Sequence, residues 1–304
     1  MAKFFSNWFS GICLLVCLFA CSSYGQVKAD RQQMDYYGLV KTVRTETVEY
    51  SFEDGKPKHS KRKLDSIEQF DHHGRLLEEM HYGSDGKILW REQHAYSSGR
   101  LIETTVKHDK FIFLPDRRVY KYDTRQNLIE ENGYDLSGKL VNQSTYVYDT
   151  NNRKIQWTSV SFHPEEHSTP HRWTYSYDEQ GRLKEEKAFS DEGNGFIPVD
   201  SLGAPHKRVL GYQNGDKWNA ALYFDVTGAL VRMTLLTYDQ KENEIEDIEY
   251  NQDLNLKKKI RYEYKFDKHE NWVKMKTYVW KAKDSRAFYQ LDEVTYQVIT
   301  YYKN

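Results

Sequence analysis

The sequence predicts an all-β protein, an antiparallel meander of hairpin repeats curled into a half-shell or incomplete barrel. Three observations point there. Aromatic residues that precede turn signals recur at Phe70, Tyr82, Tyr96, Tyr122, Tyr134 and Tyr148, at intervals of 12, 14, 26, 12 and 14 residues. A fixed period of this kind is the mark of a repeat architecture. The strands entering the turns carry aromatics at every second residue, as in Tyr120 and Tyr122, Tyr146 and Tyr148, and Trp173, Tyr175 and Tyr177. Period two places each set on one face of a sheet. Aromatics make up 15% of the chain, 24 residues being tyrosine, although mean hydropathy is only −0.85. Disordered chains are poor in aromatics, so this balance implies a sheet with one tyrosine-rich face and one solvated face.

The turns explain the spacing. FDHHG at 70–74, YDLSG at 134–138, YDEQG at 177–181 and FDVTG at 224–228 share one form. Asp71, Asp135, Asp178 and Asp225 open a type I turn, where a carboxylate can accept backbone N–H bonds. Gly74, Gly138, Gly181 and Gly228 follow three residues later in the left-handed conformation that closes a three-residue hairpin loop. Asn127 and Asn152 are expected to replace glycine where it is missing. The 26-residue gap between Tyr96 and Tyr122 equals a 12 and a 14, so one marker is lost near His108-Asp109-Lys110. Two units bring the chain back to the same edge of the sheet. A dozen or more strands should curl, because open sheets rarely exceed about ten strands. Lys257-Lys258-Lys259 are expected to protect an edge.

The chain begins with a targeting segment. Lys3 precedes the apolar run WFSGICLLVCLFA at 8–20, which is short for a membrane span. The sequence LFAC at 18–21 resembles a bacterial lipobox, with Cys21 as the lipidated residue. The alternative is ordinary cleavage before Gln26. Residues 1–20 are read as a lipoprotein-type signal peptide, 21–38 as a polar tether and 39–304 as the repeat domain. Within that domain, Leu39–Phe52 and Lys58–Gln69 are the first expected strands. All three cysteines lie at positions 13–21, so no disulfide pair remains in the mature chain. With 44 Lys+Arg against 45 Asp+Glu, a general nucleic-acid binder is disfavoured. The membrane is expected to be met through a lipid anchor only.

The turns resemble those of the YD-repeat, or RHS-repeat, family. The motif appears as YSYDEQGRLKEE at 175–186 and FDHHGRLLEE at 70–79. FDKHENWVKMKTY at 266–278 and VTYQVITYY at 294–302 are similar to the closing units of short, exported members. Glu270 stands at the usual glycine position. The resemblance implies a β-sheet of repeats in an exported protein, with no established activity for short members. It is interrupted at 187–222, a glycine-rich insertion. The expected location is the cell envelope as an outer-membrane-anchored lipoprotein, or the periplasm or exterior if cleavage falls before Gln26.

Several residues are candidates for function. His163, His167 and His171 in HPEEHSTPH are weak candidates for a metal, because Pro164 and Pro170 break any helical array. Trp218, with Tyr175 and Tyr177 on the neighbouring face, is the candidate binding surface for an unknown protein or glycan. No cofactor is expected, since nucleophile, zincin and phosphate-loop motifs are absent. The expectation is a non-catalytic envelope protein presenting a binding or scaffolding surface. The alternatives are an envelope hydrolase acting on glycans, with Glu78, Glu103, Glu130 and Glu185 as carboxylates on the tyrosine face, or an accessory or immunity protein of a toxin system.

Overall fold

The repeat turn sets the architecture. In the computed structural model Asp71 Oδ1 accepts the N–H groups of His73 and Arg75 at 2.8 and 3.0 Å, and Gly74 takes φ 82°. The same bonds recur at Asp135, Asp178 and Asp225. Burial works against the charge of Asp71, yet these donors and the Arg75 guanidinium hold its carboxyl below the usual range. Each turn fixes register, so the strands between turns pair with their neighbours in order.

The structure describes residues 34, 36–53, 56–108, 115–162, 170–191, 196–198, 206–212, 217–283 and 286–303. The signal segment, Cys21 and most of the tether lie outside these residues, as do His163 and His167. The strands run β1 Val40–Glu53, β2 Lys56–His59, β3 Lys63–Phe70, β4 Leu76–Tyr82, β5 Ile88–Ser97, β6 Arg100–His108 and β7 Arg117–Tyr122. They continue with β8 Leu128–Tyr134, β9 Leu140–Tyr148, β10 Lys154–Ser161, β11 His171–Tyr177, β12 Leu183–Asp191, β13 Phe196–Pro198 and β14 Lys207–Gly211. The last are β15 Ala220–Phe224, β16 Leu230–Tyr238, β17 Glu244–Asn251, β18 Leu256–Phe266, β19 Trp272–Lys283 and β20 Arg286–Tyr301.

The expected half-shell is in fact a closed barrel of 18 antiparallel strands. β1 pairs with β3 on one side and with β20 on the other, from Val40↔Tyr301 to Glu49↔Glu293. β2 and β13 are short hairpin arms outside this ring, added to β1 and β12. An even number of up-and-down strands permits this closure, because it returns the last antiparallel to the first. Closure also removes the edges. Lys257-Lys258-Lys259 lie in β18, an interior strand of the ring, where Lys258 and Lys259 pair with β17 and the pairing with β19 begins at Ile260. The insertion at 187–222 is partly wall, since β14 pairs with both β12 and β15.

The substitutes for glycine are not all the expected ones. Asn152 has φ 60°, but in the neighbouring turn Gln126 takes φ 73°, and Asn127 bonds the Asp123 carboxylate at 3.0 Å. Glu242, Leu254 and Glu270 also adopt positive φ, so the turn form outlasts its glycine. A branched side chain there costs about 1 kcal/mol. Leu254 is 58% exposed. Leu254→Gly is expected to raise stability by roughly 0.5–1 kcal/mol in urea titration.

The two rims differ. At the rim with the turns after β3, β5, β7, β9 and β11, each incoming tyrosine reaches across to the strand before it. Tyr96, Tyr122, Tyr148 and Tyr177 donate hydroxyl protons to the carbonyls of Leu76, Leu101, Leu128 and Lys154 at 2.6–2.9 Å. Arg75 both bonds Asp71, at 2.6 Å, and lies 5.2 Å from the Tyr96 ring. Arg153 and Arg182 repeat this with Tyr177 and Tyr212. The aromatic, the aspartate and the arginine of the motif thus form one unit that fastens successive hairpins. At the opposite rim the chain passes from β6 to β7, from β10 to β11 and, by way of β13, from β12 to β14.

Buried apolar side chains gather inside the seam. Tyr36, Val40, Val43, Phe70 and Leu76 form one cluster, with Ile299 and Tyr301 packed against it. Tyr36 meets Phe70 edge to face at 5.9 Å. Tyr302 donates to the Phe70 carbonyl at 2.6 Å, and its N–H bonds Leu39 O. The segment before β1 is fastened here too, because Asn271 accepts from Tyr37 N and donates to Tyr37 O.

Candidate functional site: the inner wall

Cross-strand register sorts the residues into two faces. Val43, Thr104 and Val106 are among the least exposed side chains, which marks their face as the concave one. Outward come Glu78 with Arg91, Glu103 with Arg117, and Glu130 with Lys121. The four repeated glutamates therefore do not share the tyrosine face, contrary to the arrangement the hydrolase alternative requires. Glu185 also lies outward, between Lys187 and Lys207. The reason is register: each glutamate pairs with an outward residue, such as Gln93, Val119 or Thr145.

The inner wall holds carboxylates of its own. Glu68, Glu79 and Glu92 stand directly opposite one another across β3, β4 and β5. Like charges so placed repel. Each is handled differently. Arg118 Nη2 bonds Glu92 at 2.6 Å. His81 bonds Glu79 and stacks on Trp90, ring centres 4.0 Å apart. Among the described residues no cation pairs with Glu68; burial, then the Glu79 charge, push its carboxyl up to about 7, against the Tyr36 hydroxyl and His81. Tyr36, 9% exposed, covers this place, and its hydroxyl accepts from Gln297 Nε2 at 3.2 Å.

Around the wall the pattern continues with aromatics. Glu131 lies close to Arg118 and accepts the Tyr146 hydroxyl at 3.3 Å. Burial raises its carboxyl, while Arg118 and Tyr146 pull the other way. Tyr146 pairs with Trp157 across β9 and β10, and Trp157 stacks on Trp173 at 4.2 Å. Tyr146 and Trp173 belong to the period-two sets of the sequence, and Trp157 joins them across three strands.

The sequence candidates fall in different places. Tyr175 faces inward, with Lys154 Nζ 4.6 Å from its ring. Tyr177 belongs to the rim fastening. Trp218 is half-buried before β15, and its carbonyl accepts the Tyr238 hydroxyl at 2.8 Å, the position held by Leu76, Leu101, Leu128 and Lys154 in the earlier hairpins. His171 faces inward beside Trp173 at 6.0 Å. Among the described residues no group of three His, Cys, Asp or Glu side chains is arranged to hold a metal. Glu79 and Glu131 hold the second glutamate of the repeat motif, nine residues after Phe70 and Tyr122, as Glu186 does after Tyr177. Alternation puts them on the face opposite Glu78 and Glu130, while Glu68, Glu92 and Arg118 lie outside the motif and are brought in by cross-strand register.

Comparison with known proteins follows the same division between fold and function. A family model described only as an uncharacterised protein matches residues 65–195. Among curated proteins none matches. Solved structures that are similar include the TcdB2–TccC3–Cdc42 complex, an RHS/YD-repeat toxin assembly, at 15% identity and TM-score 0.34, covering 80% of this chain and 13% of that one. This chain thus spans about an eighth of that protein. A porin-like protein from Bacteroides uniformis is similar at 11% identity and TM-score 0.41, covering 86% of this chain and 96% of that one. A porin-like protein from Bacteroides vulgatus gives 12% identity and TM-score 0.34, covering 86% and 98%.

Proposed function

We propose that the protein is a non-catalytic, exported barrel of the YD-repeat type that serves the cell envelope as a binding scaffold. The observation that carries this reading is the state of the inner carboxylates. A hydrolase needs two acids of unlike environment open to substrate. Glu68 lies against the Tyr36 hydroxyl, Glu79 is paired with His81, and Glu92 is held by Arg118. The outer wall supports a water-facing scaffold. It carries ion pairs such as Arg117–Glu103 and Lys276–Glu263, whereas an Arg or Lys on a lipid-facing strand costs about 2–4 kcal/mol at the bilayer midplane.

Two experiments test the reading. Purified protein incubated with a panel of envelope and plant polysaccharides should retain them in affinity electrophoresis without releasing reducing ends. Turnover that disappears in Glu68→Gln would establish the hydrolase instead. Membrane attachment is assigned to Cys21 on the strength of LFAC. Cys21→Ala should abolish palmitate labelling and move the protein out of the membrane fraction; unchanged labelling would refute the anchor.

A further inference from the structure

We propose that the outer face of β18, β19 and β20 binds an acidic polysaccharide, with Lys265 and Lys274 as its carboxylate subsite. The inference deepens the scaffold reading and rests on it. Lys265 and Lys274 stand directly opposite each other across β18 and β19. Side chains so placed have Cβ atoms about 5 Å apart, and two like charges there are unfavourable. No ion pair with a described acid accompanies either lysine.

The comparison within the same barrel is informative. Lys187 and Lys207 are also directly opposite on the outer face, but Glu185 lies against both, at 2.8 and 3.9 Å. The neighbouring cations near the proposed subsite are likewise satisfied: Lys259 by Glu246, Lys276 by Glu263 and Arg62 by Glu46. The Lys265–Lys274 pair therefore leaves a place for an anion that the chain does not fill. Charge complementarity selects a polyanion, and the rest of the face selects its kind.

Aromatic rings alternate with the cations along this wall. Lys274 Nζ is 5.1 Å from the centre of the Tyr296 ring, whose other neighbour is Arg62 at 4.0 Å. Further along, Arg261 lies over Tyr278 at 5.1 Å and Tyr289 over Trp280 at 4.9 Å. Aromatic rings offer apolar faces to sugar rings, and cations beside them meet acid groups at intervals along an extended chain. A flat sheet face suits such a polymer better than a compact ligand.

The test is affinity electrophoresis and calorimetry of the full mature protein with polygalacturonate, with neutral dextran and single-stranded DNA as comparison arms. Polygalacturonate is expected to bind, dextran not, and binding should weaken as salt rises. Lys265→Gln/Lys274→Gln should lose at least tenfold in affinity with an unchanged β-sheet circular-dichroism spectrum. Lys265→Glu, which gives Lys274 an internal partner, should lose binding while remaining folded. Arg117→Gln, on the outer face elsewhere, should bind normally. Equal binding by the double variant, or tighter binding of DNA than of polygalacturonate, would overturn the proposal. Retention of a neutral glycan by wild type and double variant alike would overturn it and leave the scaffold reading standing. Cleavage of polygalacturonate would instead refute the non-catalytic reading.

Discussion

Phe70→Ala is expected to lower stability by about 3–5 kcal/mol, the range for truncating a large buried aromatic. Phe70 is 1% exposed and lies where three segments meet: the end of β3, the segment before β1 and the residues after β20. Its loss leaves Tyr36 without an edge-to-face partner and opens a cavity inside the seam. Because the described chain has few other fully buried apolar side chains, neighbouring strands have little with which to fill that cavity. Urea unfolding followed by circular dichroism measures the effect. A loss under about 1 kcal/mol would mean that the seam cluster does not hold the barrel shut.

Glu68→Gln is expected to change how stability depends on pH. In the folded protein the Glu68 carboxyl is raised to about 7, first by burial and next by Glu79. An unfolded glutamate titrates near 4.3. Between these values the folded state binds more protons than the unfolded state, so stability falls as pH rises. The contribution of this group is intact below about pH 4 and lost above about pH 7, a difference of roughly 2–4 kcal/mol. Glutamine stays neutral and removes that slope. The variant should match wild type near pH 4 and exceed it above pH 7, as read from urea midpoints across the range. Glu244, raised to about 7 by burial and by Asp247, adds a slope of the same sign that remains in both proteins. A variant no more stable than wild type at pH 8 would show that Glu68 does not carry the strain.

The sequence disclosed the repeat more fully than it disclosed the ring. Turn aspartates, the left-handed positions and the alternation of aromatics are local properties, and local properties are written in short stretches. That is why the strands at 70–82 and 120–148 fall where the spacing puts them. Even the lost marker near His108 is visible as a longer connection between β6 and β7. Closure is a relation between residues about 250 positions apart, such as Thr42 and Thr300. No period reports whether a twisted sheet of this length meets itself, so the half-shell was the natural reading of spacing alone. The position of Asn127 was missed by one residue for a comparable reason. Its side chain suits either a left-handed turn or a bond to Asp123, and the structure uses the second.

The candidate surfaces were partly legible. Tyrosines at period two do line one face, but the glutamates that follow the turns line the other. A glycine-rich insertion drew attention to Trp218, whose carbonyl serves the same fastening as leucines 76, 101 and 128. Meanwhile Lys265 and Lys274 look like ordinary members of a solvated strand until register sets them opposite each other. What distinguishes them is the absence of a described acid beside them, which is a property of three dimensions.

The central claim is that β1 and β20 join to close the barrel, and one cross-link tests it directly. The hydroxyls of Thr42 and Thr300 lie 2.6 Å apart across the seam. In a chain that begins at residue 26, which carries no other cysteine, Thr42→Cys with Thr300→Cys should form an intramolecular disulfide under mild oxidation. Intact mass would then show the loss of two hydrogens, and two peptides joined across the seam would appear after digestion. Two free thiols, with the β-sheet spectrum retained, would mean that the sheet is open and that its ends do not meet.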